Sequence, residues 1–397
     1  MTLDLGSIAR QIRQMGAELK AAGEIQQEYV GRAVAVLLDH ADDFEGLRAK
    51  IEGARTFWPV ARPVEPLDAR RKPERSGASY CVVATDGSQI EPDRHGPAMC
   101  CLMNVGAAVL QYGQSPKAEL WSRPQLYFRD DDLHIVSNNR RFLIQGHLLT
   151  VKRSIAEANL LAELAPIRPE GLPVVGLQDG TLVLQTLEGW GIEERLRDEL
   201  TERFIDCLEQ LRQAGVPLAS YISRPRGADV VNALRVAACP YEVANCRMHC
   251  RELVATRTEP CGWLGSVLDR FLFGRLPLAE GEHSALFLSS SAISLERYGE
   301  HKVYFFYVNV GKEIARVEVP QWVAREDSSL NLVRQVVYDQ CRRGDGYPRA
   351  LAEAHERAVV SAADRKVFWR LVDSVFAGQG LPASVSQKDR SKKMRGV

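Results

Sequence analysis

The rhythm of apolar and polar positions changes several times along this chain. Residues 1–56 contain few Gly or Pro, and Leu19, Ile25, Tyr29, Ala33, Val36 and Leu37 recur at roughly helical spacing. That pattern predicts helix, serving as an arm, a partner-facing helix pair or a lid. Residues 59–78, PVARPVEPLDARRKPERSGA, are rich in Pro and charge and read as a linker. From Tyr80 short apolar runs take over. Residues 80–85 and 98–111 read as strands with a Gly96-Pro97 turn between them, and 124–136 as a weaker strand interrupted by Asp130, Asp131 and Asp132.

Phe142, Leu148, Leu149, Ile155, Leu160 and Leu164 fall near one face of a helix predicted over 140–165. Residues 173–184 read as a strand leaving through a DG turn, 192–214 as an amphipathic helix, 216–222 as a buried strand and 228–238 as a helix. A cysteine-rich stretch, 239–261, precedes two or three antiparallel strands within 284–319. Helices follow at 329–343 and 348–376, the second with Pro348 at its first position. The tail from Gly378 is polar and basic and is expected to be disordered. Paired strands followed by alternating strands and helices predict a mixed α/β sheet flanked by helices, with a helical N-terminal segment.

Composition narrows the classes. A chain of 397 residues that is 45% hydrophobic and 26% charged has enough apolar material for a real core. With 51 Lys+Arg against 51 Asp+Glu, it is not an autonomous, strongly basic nucleic-acid binder, although a local basic groove remains compatible. The N-terminal MTLDLGSIARQIRQMG lacks an apolar signal region, and no run approaches ~20 apolar residues. A cytoplasmic protein with no membrane association, its nine cysteines reduced, is the expectation.

Two stretches carry the chemistry. YCVVATDGSQIE places Asp86-Gly87-Ser88 after an apolar run, and PVVGLQDGTLVL repeats the device at Asp179. One DG is ordinary turn chemistry, with Gly taking φ > 0 and the carboxylate bonding local amides. Two in equivalent contexts suggest carboxylates gathered at neighbouring strand ends, where they repel unless a cation lies between them. Hard oxygen ligands select Mg²⁺ or Mn²⁺. A phosphatase of the haloacid-dehalogenase type would need an aspartate two positions before each Asp-Gly, where Ala84 and Leu177 stand.

The ordered set VVATDGS, the helix with Glu157, VVGLQDGTL, ASYISRPRGADVVNALR and GYPRALAEAHERA resembles the NurA nuclease family, from about residue 78 to 376. The resemblance implies an RNase H-like mixed sheet and a Mn²⁺- (or Mg²⁺-) dependent DNA nuclease. Such a nuclease acts as a 5′-to-3′ exonuclease and single-strand endonuclease at double-strand breaks. It works as a homodimer with a HerA-like hexameric ATPase translocase. It further implies that Asp86, Glu157 (with Glu163 the rival), Asp179 and His355 are metal ligands, and that Tyr347 orients phosphate or water. Arg224 and Arg226 become candidate DNA-phosphate contacts. Ser88 is read as a turn cap, with phosphate donation the other reading. The organisation expected is a helical segment at 1–58, a linker at 59–78, the nuclease domain at 79–376 and a tail at 377–397. The other readings are a non-catalytic interaction module of a translocase complex and an RNase H-like nuclease acting on RNA.

Inside that domain, Cys239, Cys246, Cys250 and Cys261 are spaced C-x6-C-x3-C-x10-C, with His249 among them. Thiolates at this density suit Zn²⁺ or an iron–sulfur cluster, although the spacing is not that of a zinc ribbon; buried free thiols are the alternative.

Overall fold

The computed structural model describes residues 4–73, 79–93, 98–137, 140–167, 171–188, 192–256 and 258–381. The helices and strands run, in chain order, α1 (Leu5–Asp39), α2 (Phe44–Gly53), β1 (Arg62–Pro63), β2 (Tyr80–Ile90), β3 (Cys101–Tyr112), β4 (Lys117–Tyr127), α3 (Asp130–Leu133), β5 (His134–Ser137), β6 (Arg140–Leu143), α4 (His147–Leu164) and β7 (Val174–Asp179). They continue with α5 (Glu194–Gln213), β8 (Leu218–Ile222), α6 (Asp229–Ala237), α7 (Cys246–His249), α8 (Arg251–Thr256), α9 (Asp269–Arg275), β9 (Phe287–Leu288) and α10 (Ala292–Arg297). Last come β10 (Val303–Asn309), β11 (Ile314–Pro320), α11 (Gln321–Ala324), α12 (Asp327–Arg343), α13 (Arg349–Ala358) and α14 (Ala362–Gly378). No helix among the described residues is long and apolar enough to cross a membrane.

The chain forms two compact units. One comprises Met1–Pro73, Ile222–Ser291 and Lys302–Glu318. Its core gathers Leu47, Leu234, Leu272, Phe273, Phe287, Phe305 and Tyr307, and β9 pairs antiparallel with both β1 and β10. Only the last turns of α1 join this core, through Val30, Ala33 and Leu37; Leu19 and Ile25, expected on the same stripe, are exposed. The stretch read as a linker is ordered within this unit over 59–73: β1 lies there, Val64 N donates to Leu286 O, and Arg71 bridges to His283. Proline is tolerated on such a two-residue strand because an edge leaves the N–H unused. Residues 74–78 lie outside the described residues.

The other unit, Glu74–Tyr221, Ala292–His301 and Val319–Val397, carries a run of paired strands in the order β8-β7-β2-β3-β4, together with the separate β5–β6 pair. β2, β3 and β4 form an antiparallel meander, while β7 pairs parallel with β2, and β8 parallel with β7. A meander extended by parallel strands beside its first strand is the RNase H-like arrangement, so the expected mixed α/β fold is the fold found. Helix α4 lies on one face of β2 and α13 on the other. Thr85 and Gly87 meet Glu157 of α4, whereas the alternate residues Asp86 and Ser88 meet His355 and Ala358 of α13.

Local differences from the sequence reading have local causes. The weak strand at 124–136 splits, because the three aspartates open the short helix α3, whose N-terminal dipole favours them. Residues 140–143 form β6 paired with β5, and α4 starts only after Gly146 at φ 54°. The helix expected over 348–376 is two helices: Ser361 and Asp364 build a reciprocal capping box that starts α14. Pro348 caps α13 rather than opening it. The Gly96-Pro97 turn and the tail beyond residue 381 lie outside the described residues.

Candidate active site

The first DG is not a turn. β2 runs unbroken from Tyr80 to Ile90 in continuous register with β3, passing straight through Asp86-Gly87-Ser88. Gly87 is needed for space: a Cβ there would stand 2.5 Å from Glu157 Oε1 and 2.8 Å from Arg153 Cγ. Both atoms come from α4, so the glycine is the notch through which Glu157 reaches the strand. The second DG is a turn, with Gly180 at φ +83°.

Register aligns the two aspartates. The β2–β7 ladder pairs Ala84 with Leu177 and Thr85 with Gln178, so Asp86, within β2, and Asp179, the last residue of β7, occupy the next rung. Adjacent strands lie about 4.8 Å apart. Each aspartate meets a side chain from the C-terminal part of the chain: His355 Nδ1, on α13, lies 2.7 Å from Asp86 Oδ2, and the hydroxyl of Tyr347, in the link before α13, donates to Asp179 Oδ1 at 2.7 Å.

α13 reaches this position because β3 gives way to it. Gly106 stands opposite Asp86, and a Cβ there would lie 2.3 Å from Ala354 O and 2.4 Å from Ala358 N. Asn104 Nδ2 donates to the carbonyls of Arg357 and Ala358, and the Ser88 hydroxyl donates to Ala358 O. Ser88 therefore fastens the helix end to the sheet, correcting its reading as a turn cap or phosphate donor. Tyr347 is set by the tight link between α12 and α13, where Gly346 adopts φ +103° and a Cβ on Gly344 would collide with Tyr347 O. Its ring packs edge-on against Tyr221 at 5.5 Å.

Glu157 approaches from the opposite face and is 5% exposed. Arg153 Nε lies 3.1 Å from its Oε1 as an ion contact, yet Oε1 has no aligned hydrogen bond; Gln178 Nε2 donates a long 3.5 Å bond to Oε2. Burial pushes the Glu157 carboxyl up to about 8; Arg153 opposes that, Asp86 and Asp179 add to it, and the Gln178 bond opposes it. Asp179 is exposed by surface area, yet surrounding atoms raise its pKa, helped by Asp86 and opposed by Tyr347 and His355. Burial and then Asp179 hold the Tyr347 phenol well above its ordinary value, so it is a donor at neutral pH. Glu163, the rival acid, points elsewhere: it is exposed and forms a bidentate pair with Arg123.

Asp86, Asp179, His355 and Tyr347 thus share one face of the sheet, with Glu157 reaching toward the same strand ends through the Gly87 notch. Among the described residues, no three His, Cys, Asp or Glu side chains close on a common point as a ready metal cage. The donor chemistry nevertheless fits a hard cation. Two like-charged carboxylates occupy one rung of the neighbouring strands β2 and β7, and a third, buried carboxylate has an oxygen without a hydrogen-bond donor. Sequence reasoning missed Arg153 and Gln178, which surround Glu157. Their signal was present in part: Arg153 precedes Glu157 by one helical turn.

Arg224 and Arg226 belong to the other unit. Both are exposed, Arg224 adopts φ 45°, and with Arg270, Phe271 and Glu313 they line an open groove of about 540 Å³. The four clustered cysteines also lie in that unit. None is in a disulfide, and all four line one hollow with His249, Arg235 and Trp58.

No curated protein matches this chain. The NurA domain matches residues 81–360, well over half of the chain, and those residues include every member of the acid–histidine–tyrosine group. The chain therefore belongs to the NurA domain family, a nuclease-related family associated with DNA and HerA-type partners.

Proposed function

We propose that this chain is a divalent-metal-dependent DNA nuclease that processes double-strand-break ends as a 5′-to-3′ exonuclease and single-strand endonuclease. The observation that carries the reading is that two aspartates on one rung of adjacent parallel strands of a NurA domain each meet a partner, His355 and Tyr347. Asp86 and Asp179 would hold Mn²⁺ or Mg²⁺, with Glu157 entering through the Gly87 notch and His355 beside them. A bound cation there would activate water and neutralise charge on the departing oxygen.

The side chains have separable tasks. Asp86 fixes the His355 ring through Nδ1, and the ring, with its side chain 59% exposed, exchanges protons with water and with the leaving oxygen. Tyr347 stays protonated and holds the Asp179 carboxylate in one orientation. Burial favours the protonated form of Glu157, so binding of a cation there would be coupled to release of that proton. Arg224 and Arg226 supply phosphate contacts. Family membership supports a HerA-like hexameric translocase as partner and a homodimer as the working form.

Labelled single- and double-stranded DNA, with RNA beside it, is incubated with Mn²⁺, Mg²⁺ or EDTA, with and without a HerA-type translocase. Wild type is compared with Asp86→Asn and Asp179→Asn. Cation-dependent DNA cleavage lost in both folded variants is expected. Cleavage of RNA alone moves the substrate. Inertness of wild type under every condition leaves a non-catalytic interaction module.

A further inference from the structure

The cysteines are unevenly distributed between the two units. All four in the first unit, Cys239, Cys246, Cys250 and Cys261, line the same hollow, whereas Cys81, Cys100, Cys101, Cys207 and Cys341 belong to the other. Four thiols of one unit around one space, with none left elsewhere in it, is not what scattered buried cysteines give.

The backbone aims them there. Cys239 follows the end of α6, where Lys50 Nζ bonds the carbonyls of Ala237 and Cys239. Cys246 opens α7 under a bond from its N–H to Arg55 O, and Cys250 lies one helical turn later on the same side. Cys261 begins the next short turn and supplies the carbonyl for Leu264 N. Cys246, Cys250 and Cys261 are each less than one-tenth exposed.

Regular structure is sparse in this segment, although Ala244 and Leu264 reach the unit's core and Asn245 bridges to Arg55. Among the described residues between α6 and α9 there is no strand, only two helices of four and six residues and a single 3₁₀ turn. Such segments commonly rely on a covalent or metal staple in place of an apolar core. No disulfide supplies one here.

We propose that Cys239, Cys246, Cys250 and Cys261 form a thiolate site for a soft metal centre, a zinc ion or an iron–sulfur cluster, that staples residues 239–261. The thiols line the hollow without three of them closing on one point, so binding draws them inward and releases their protons. Burial first, and then the neighbouring thiols, hold the Cys246 thiol up at about 11 and raise that of Cys250. A zinc ion brings four sulfurs to about 2.3 Å from one centre, whereas a cluster spreads them around an inorganic core. The site is separate from the acidic group and does not depend on the nuclease reading.

The test uses the full chain purified anaerobically. Zinc and iron are measured by mass spectrometry, acid-labile sulfide by colorimetry and cluster absorption in the visible. Cys246→Ser/Cys250→Ser is the site variant, and Cys207→Ser, in the other unit, is the control. The result expected is either stoichiometric zinc or iron with matching sulfide in wild type and Cys207→Ser, lost from the double variant. Zinc identifies the single-ion form, and iron with sulfide the cluster. If the double variant does not fold, mercurial release of zinc or iron from wild type, blocked by prior alkylation of the cysteines, reads the same point. The proposal is overturned if wild type holds neither metal above the double variant. That result must persist after anaerobic reconstitution with Zn²⁺, or with Fe²⁺ and sulfide.

Discussion

Replacing Glu157 with Gln separates a buried acid awaiting a cation from an ordinary ion pair with Arg153. The carboxyl is pushed from 4.5 up to about 8, chiefly by burial. At about 1.4 kcal/mol per unit the ionised form costs at most roughly 5 kcal/mol. The sign follows from proton binding. Between 4.5 and about 8 the folded state holds a proton that the unfolded state has released. The stabilisation from Glu157 is thus complete below 4.5 and disappears as pH rises through about 8. Glu157→Gln stays neutral throughout. Without divalent cation, wild type and variant should melt together near pH 5, and the variant should melt several degrees higher near pH 9. Adding Mn²⁺ should close the gap in wild type only. A variant that is less stable than wild type at pH 9, or a difference that does not change with pH, would refute the reasoning. Either would mean that Arg153 keeps Glu157 ionised throughout.

Three further outcomes follow from the same geometry. Gly87→Ala places a methyl 2.5 Å from Glu157 Oε1. It should destabilise by about 1–3 kcal/mol in thermal unfolding, and Glu157→Gln should not relieve it, because the amide has the same shape. Gly106→Ala meets the backbone of α13 at 2.3 Å, so it should push the helix off the sheet and abolish cleavage while Asp86 stays in place. A nuclease assay alongside circular dichroism reads both effects. Tyr347→Phe removes the bond that lowers the Asp179 pKa, so the acid limb of the cleavage–pH profile should move to higher pH with the fold intact.

Much of the sheet was legible because its strands are continuous apolar runs; Asp179 marked the end of β7, whereas β2 continues past Asp86 to Ile90. His355 and Tyr347 were recognisable only through the ordered motifs of the family, since nothing local distinguishes a histidine on a helix surface. The sequence misled where one dipeptide has two physical uses. Gly180 supplies a positive φ and Gly87 supplies room, and periodicity registers neither difference. It also misled at 59–73, where Pro-rich composition suggested a linker but pairing partners more than 200 residues away order the chain. The capping box at Ser361 was readable and decides where α14 begins. The notch at Gly87 was not, because it depends on which helix lies across the strand.

The contact between Asp86 and His355 joins residues 269 positions apart. Closing a loop of that length costs on the order of 5 kcal/mol of chain entropy before any contact repays it. During synthesis β2 emerges long before α13, so the strand-end carboxylates exist for most of translation without their histidine and tyrosine. High contact order slows this last step further. The aspartate–histidine contact therefore forms only after α13 has followed the sheet out of the ribosome, and a truncated product ending after α12 would carry the sheet and its acids without the partners that organise them.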